Sequence, residues 1–282
     1  LVSVDGLDSW GLKDRLLSYR RVGRTETEIR RVETARGTLP PGRTGGVALD
    51  SAREAVDPIV DELERIGAQP TATSTVRIDV ELSSGHRLVG TVDVEQSTPP
   101  GPVTASVSKH KPKHELRPWL ELVALTADDP TVRWRSVLVS PPQRSGQDAV
   151  TTTFEIPLDS PAERRRRAVD ALESVIALYL RGRCEPLPIF PGVSPALVGD
   201  GDPVKAWSDT WGGKPDGENK WVLLAFDYPS LDDVLSIPAR PDDPVLQDHP
   251  LGNSPHRVER LAACLWGAIE RSQQPVDEAG AD

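Results

Sequence analysis

Asp93, in Gly90-Thr-Val-Asp93, and Lys109, at the end of Val103-Thr-Ala-Ser-Val-Ser-Lys109, sit on successive segments of alternating apolar residues. An Asp on one strand followed by an acid-x-Lys on the next makes a centre that cuts phosphodiesters. The two acids hold Mg²⁺, the ion lowers the pKa of a water and stabilises charge on the phosphate, and the lysine orients or activates the nucleophile. Here the first acid and a lysine are present and the second acid is not. With Lys109 as the lysine, the acid's position falls on Val107, and sliding the frame finds only Ser106 or Ala105. A single carboxylate leaves a hard divalent cation most of its water and holds it weakly. Cutting would need an acid brought from elsewhere, Glu95 or Glu115 in this chain. Without one, Asp93 is the remnant of a degenerate site or a hydrogen-bonded strand residue. The expectation is no catalytic residue, no metal ligand and no cofactor.

In Lys109-His-Lys-Pro-Lys-His114, three of the chain's seven lysines and two of its five histidines lie together. Lys109, Lys111 and Lys113 are the candidate DNA-binding residues, because lysines give charge and counterion release to phosphates without discriminating bases. His110 and His114 have the i, i+4 spacing of a helical metal pair, but Pro112 stands between them and no Cys or third His accompanies them. They read as surface histidines that add little charge at pH 7.

Hydrophobic period shows the elements that would carry these residues. Ser51 and Glu54 form a capping box for a helix to Ile66, with Val56, Ile59, Val60, Leu63 and Ile66 on one face and Gly67 closing it. Val76 to Leu82 alternates apolar and charged residues, and Ser83-Ser84-Gly85 turns the chain into Arg87 to Val94, a hairpin. A third strand spans Val103 to Ser108, a helix Pro112 to Ala127, and a fourth strand Val132 to Ser140. Helix, three strands, helix, strand is the order of the PD-(D/E)XK, or restriction-endonuclease-like, core. The expected fold is therefore α/β with that core and helical additions, a single domain over 1–282. Residues 1–50 form a helical lead-in, 51–140 the core, and 141–282 the elements that complete it.

Gly6 to Gly37 reads as two short helices, the first with Leu7, Trp10, Leu16 and Leu17 on one side, the second region rich in Arg beside Glu26, Glu28 and Glu33. Gly37 to Gly46 reads as a packed turn, since no strand precedes it and no Gly-Lys-Ser/Thr follows to hold a nucleotide. Phe154 and Ile156 suggest a strand. Ser160-Pro161-Ala-Glu163 is a helix start, for a helix that stops at Gly182, and Arg164 to Arg167 read as its exposed, locally paired face. A strand over Trp221 to Tyr228 follows a region around Trp207 and Trp211 with no legible pattern. The last helix runs from Ser254-Pro255 to about Arg271, and the tail after Pro275 should fray.

The net charge of −10 is unevenly spread. From Asp200 onward there are 16 Asp+Glu against 7 Lys+Arg, leaving 27 against 26 in the first 199 residues of a chain with totals of 43 and 33. Local basic clusters can meet phosphates on the balanced part, while the acidic last third could dock a basic partner. Two cysteines, Cys184 and Cys264, give neither a metal spacing nor a disulfide framework and fit a reducing cytosol. No apolar run approaches the roughly 20 residues of a membrane helix. The chain holds no Met, so Leu1 reads as the start of a segment taken from something longer.

Leu7-x-x-Trp10 with Leu16-Leu17, Gly37-x-Leu-Pro-Pro-Gly42-x-x-Gly45, Leu88-Val-Gly90 and Trp119-Leu120 recur in a family's order. So do Tyr179-Leu-Arg-Gly182 before Pro186-Leu-Pro-Ile-Phe190, Ala206-Trp207, and Gly217-Glu218. Together they cover nearly the whole chain, which resembles the C-terminal domain of the gamma (RecC) chains of the RecBCD helicase-nuclease, exodeoxyribonuclease V. The resemblance implies a nuclease-like domain that does not cut by itself. It acts as scaffold and duplex-DNA contact in double-strand-break repair and recombination, within an ATP-dependent complex whose RecB and RecD subunits supply ATP hydrolysis and cutting. It further implies cytoplasmic location, contact with double-stranded ends and unwound DNA, and no membrane partner. The enzymatic alternative is a Mg-dependent DNA nuclease with a migrated acidic ligand.

Overall fold

A computed structural model describes residues 6–40, 42–68, 72–144, 146–209 and 215–273. The sequence expectations for Pro41, Trp211 and the tail after Pro275 lie outside the described residues, as does the side chain of Leu7. Two helices open the chain, α1 (Gly6–Arg21) and α2 (Glu26–Arg36). Thr25 and Glu28 cap α2 reciprocally, and Gly37 closes it at φ 72, where a glycine avoids the left-handed cost. Leu12, Leu16 and Leu17 are buried, whereas Trp10 is half exposed and donates Nε1 to Ser108 Oγ at 2.9 Å.

Helix α3 (Arg43–Arg65) begins eight residues before the expected start at Ser51. Ser51 therefore lies inside the helix and is exposed, and its capping box with Glu54 does not form. Gly45 serves close packing and not chain breaking: a Cβ there would stand 2.2 Å from the Pro40 carbonyl oxygen. The glycine-rich stretch is thus half turn and half first helical turn.

Strands β1 (Thr73–Glu81) and β2 (Arg87–Glu95) form the expected antiparallel hairpin, with Thr75 opposite Asp93 and Ile78 opposite Gly90. Strand β3 is only Val103–Ala105, because Ser106 to Ser108 turn away, the Ser108 amide donating to Ser106 Oγ at 3.1 Å. Lys109 consequently lies beyond the strand. β3 runs parallel to β4 (Arg135–Ser140), and β4 pairs antiparallel with β5 (Val150–Glu155). The hairpin and this three-stranded sheet are separate, and an isolated antiparallel bridge between Glu95 and Gly101 closes the connection from β2 to β3. The expected strand at Val132 starts later, at Arg135. The expected helix at Pro112 opens as a 3-10 turn, Pro112–His114, before α4 (Leu116–Asp128).

Alternation along β4 divides the interior. Leu138 joins Ile78, Val80, Trp119, Leu122 and Leu172 in one core, while Val137 and Val139 join Leu16, Ile29, Val56 and Ile59 in another. Helix α5 (Pro161–Gly182) packs on α4 and starts as expected, with Ser160 as cap and Pro161 at its first position. Arg164 departs from the expected exposed run. It is buried, and its guanidinium donates to the carbonyls of Pro130, Leu158 and Asp159.

The last third is a set of short helices: α6 (Val193–Val198), α7 (Pro203–Ser208), α8 (Lys220–Ala225), α9 (Leu231–Leu235) and α10 (Arg257–Ala262). A five-residue π-helical turn, Ala263–Gly267, leads into α11 (Ala268–Glu270). Where a strand over Trp221 to Tyr228 was expected, α8 forms instead. A short apolar run fits either element, and here Asn219 caps a helix while Asp227 and Tyr228 take positive φ, which no strand accommodates. The last helix begins at Arg257 and not at Ser254-Pro255, since Pro255 and Ser254 belong to the preceding turn. The molecule is a mixed α/β structure with small sheets surrounded by helices.

Candidate functional site

Asp93 is exposed on β2 and accepts a hydrogen bond from Thr75 Oγ1, its cross-strand partner, at 2.7 Å. It lies in a cleft of about 420 Å³ between α1, the hairpin, β3 and α4. β1 and β2 alternate, so the face that carries Asp93 is the one opposite Val92 and Val94, which are buried.

Two other carboxylates share the cleft, and both are engaged by arginines. Glu95, buried at the end of β2, receives Arg21 Nη2 at 2.9 Å. Glu121 on α4 receives Arg117 Nε at 2.8 Å, one helical turn away. The hydrogen bond to Glu121 pushes the Arg117 guanidinium up, the Glu121 charge adds to this, and the charge of Asp93 adds a little more. From the β3 side the cleft is lined by Pro102, Val103 and Thr104, none of which carries a charge.

This donor set does not fit a divalent ion. Mg²⁺ needs carboxylates presented together with open coordination positions, whereas here two of the three acids already hold guanidinium groups. Among the described residues no three His, Cys, Asp or Glu side chains are grouped so as to hold a metal ion. Of the two candidate acids from elsewhere, Glu95 lies in the cleft with Asp93. Glu115 does not line it: it accepts from Gln273 Nε2 at 2.7 Å, and His110 Nε2 stands 2.8 Å from its carboxylate.

Lys109, Lys111 and Lys113 are exposed on the loop and 3-10 turn between β3 and α4 and do not line the Asp93 cleft. Lys109 Nζ donates to the Gln143 carbonyl at 3.1 Å, which places it against the β4–β5 connection. Just after these lysines, burial first and then the charges of Lys113, His110 and Lys111 hold the His114 imidazole below its ordinary pKa. The structure thus separates Asp93 from the basic cluster that sequence places just after it.

Arg21, Arg117 and Glu121 were not singled out from sequence. The Arg117–Glu121 pair had a legible signal in its i, i+4 spacing. Arg21 and Glu95 are 74 residues apart and had none. A larger cavity, about 490 Å³, lies apart from Asp93 between α4, α5 and the π-helical turn, with Arg167 and Arg271 in its wall beside Asp170 and Asp248.

A family model of the RecC C-terminal domain matches residues 1–201. The RecBCD enzyme subunit RecC of Mycolicibacterium smegmatis (strain ATCC 700084 / mc(2)155) is 29% identical over 287 residues, covering 98% of this chain and 24% of that protein. The RecBCD enzyme subunit RecC of Mycobacterium tuberculosis (strain ATCC 25618 / H37Rv) is 33% identical over 192 residues, covering 67% of this chain and 16% of that protein. The chain spans about a quarter or less of the length of the curated relatives it matches. With a matching family model over most of its length and these relatives beside it, the chain belongs to the RecC C-terminal domain family.

Proposed function

We propose that this chain is a non-catalytic, nuclease-like domain that serves as scaffold and duplex-DNA contact in a RecBCD-type helicase-nuclease, in double-strand-break repair and recombination. The observation that carries this reading is the cleft at Asp93, where Glu95 and Glu121 are bound to Arg21 and Arg117 and β3 contributes no acid. Helix, hairpin, β3, helix and a β4 parallel to β3 support a PD-(D/E)XK nuclease-like core that has kept a shape without a metal centre. The sharing of β4 between two cores supports one domain over 1–282.

On this reading RecB and RecD subunits and double-stranded DNA ends are the partners, and the exposed Lys109, Lys111 and Lys113 meet phosphates. The compartment assigned is the cytoplasm. No helix among the described residues is long and apolar enough to cross a membrane.

The test is incubation of the purified chain with linear DNA and Mg²⁺ or Mn²⁺, alongside Asp93→Asn. The expected result is no cutting by either. Cutting that disappears in Asp93→Asn would establish the second reading, a Mg-dependent nuclease with Glu95 as migrated acid, which the shared cleft of Asp93 and Glu95 favours over Glu115.

A further inference from the structure

Helix α8 has two unlike faces. Val222 is buried, and Phe226 just past the helix end stands edge-on to Phe190, ring centroids 5.7 Å apart. Trp221, Leu224 and Tyr228 are instead 67%, 63% and 69% exposed. Trp221 and Leu224 are i, i+3 neighbours on the helix surface, and Tyr228 follows within one more turn's length. Leaving a large apolar side chain in water forgoes about 1.5–3 kcal/mol of burial. Single exposed apolar residues are ordinary on a protein surface, but here three of this size fall within eight residues of one short helix and its exit.

The backbone adds a second observation. Asp227 and Tyr228 hold φ 56 and φ 54 in succession. A non-glycine residue in this left-handed region costs about 1–3 kcal/mol and persists only where surrounding structure enforces it. The enforcement is visible: the Tyr228 amide donates to the Leu223 carbonyl at 2.7 Å, and Phe226 is anchored on Phe190. A glycine would turn the chain without strain, so the strained turn serves to present the tyrosine ring.

The flanking segments are acidic. Glu218 and Asp227 on either side of α8, and Asp232 and Asp233 on α9, which packs in one core with Val222, are exposed, and Lys220 Nζ lies 4.7 Å from the Trp221 ring centroid. The region from Asp200 onward has 16 Asp+Glu against 7 Lys+Arg. Such acidic flanks repel a phosphate backbone and attract a cationic protein surface.

We propose that Trp221, Leu224 and Tyr228 form the apolar centre of a docking face for a second protein, one with an aliphatic pocket rimmed by Lys and Arg. Aromatic anchors in a ring of complementary charge are the usual energetic centre of an interface. The assignment rests on the reading that the chain works inside a multi-subunit complex, and names the face by which another subunit holds it.

The experiment uses the full-length protein assembled with its partner subunits. A photo-crosslinking phenylalanine analogue at position 228 should join a partner subunit, at a peptide rich in Lys and Arg. Trp221→Ala with Tyr228→Ala should weaken association at least tenfold while leaving the thermal midpoint of the unassembled chain unchanged, because both side chains are exposed. Glu218→Lys with Asp232→Lys should weaken association and reduce its sensitivity to salt. Crosslinks to DNA or only within the same polypeptide, or unchanged association of the variants, would overturn the docking face alone. A wild-type chain that joins no complex would overturn the underlying reading and the assignment together.

Discussion

The guanidinium of Arg21 reaches Glu95 at 2.9 Å, so the end of the first helix neutralises the buried carboxylate that closes the Asp93 strand. Removing one partner of a buried ion pair leaves the other charge less well satisfied, at a cost of up to roughly 3–5 kcal/mol. Arg21→Ala should therefore lower unfolding free energy by about 3 kcal/mol, the low end of that range because Arg21 is partly exposed. Glu95→Gln in the same background should restore part of the loss. Urea midpoints for the two single variants and the double variant measure this, and purely additive losses would show that the pair is not coupled.

Arg164 makes a second prediction. Its guanidinium spans the carbonyls of Pro130, Leu158 and Asp159, tying the start of the α4–β4 loop to the connection that leads from β5 into α5. Arg164→Ala should cost about 1–3 kcal/mol, since partly buried carbonyl oxygens lose charge-assisted donors. Arg164→Lys should recover little, because an ammonium cannot fork between separated acceptors. A lysine variant as stable as wild type in thermal melts would remove the guanidinium's role.

Those two residues show where sequence is legible and where it is not. The hairpin, α5 with its Ser160 cap, and α4 followed expectation because each is written in local period and caps. Asp93 was placed on its strand correctly by the same alternation. The Arg21–Glu95 pairing, the burial of Arg164 and the start of α3 at Arg43 depend on what the chain meets far away, and Gly45 looked like a breaker until Pro40 was seen against it. At Trp221 to Tyr228 a run of six apolar residues followed by Asp and Tyr suits helix and strand equally, and only the cap at Asn219 and the positive φ of the turn decide.

Acid should destabilise the fold in two stages. Burial holds the imidazoles of His114 and His249 below the ordinary 6.5, in His114 with help from nearby lysines. The unfolded chain then takes up those protons first, so stability falls as pH drops from about 6.5 through the lower folded values. A second loss begins below 4.5. Burial would raise Glu33 and Glu62, but hydrogen bonds from Arg15 and Thr38 to the first, and from Arg65 and Thr151 to the second, hold both below that value. Their contribution is complete above 4.5 and disappears as pH falls through the folded values. Denaturation at pH 8, 6, 4.5 and 3 should show a shallower first stage in His114→Gln and a shallower second stage in Glu33→Gln.

The basic loop predicts a salt effect. Each phosphate neutralised on a duplex adds about 0.9 to the slope of log affinity against log salt. Changing Lys109, Lys111 and Lys113 to Ala should reduce the slope by up to about 2.7, equally for unrelated sequences. Filter binding of duplex ends between low and moderate salt measures it. An unchanged slope would take the three lysines out of the interface.

β4 has a mechanical consequence. Leu138 is held by one core while Val137 and Val139 are held by the other. A single backbone is thus gripped from both sides, and its side chains cannot follow a movement of one layer without being dragged from the second. A tug on the opening helices is carried through that strand, beside the Arg21–Glu95 pair, toward the layer of α4 and α5.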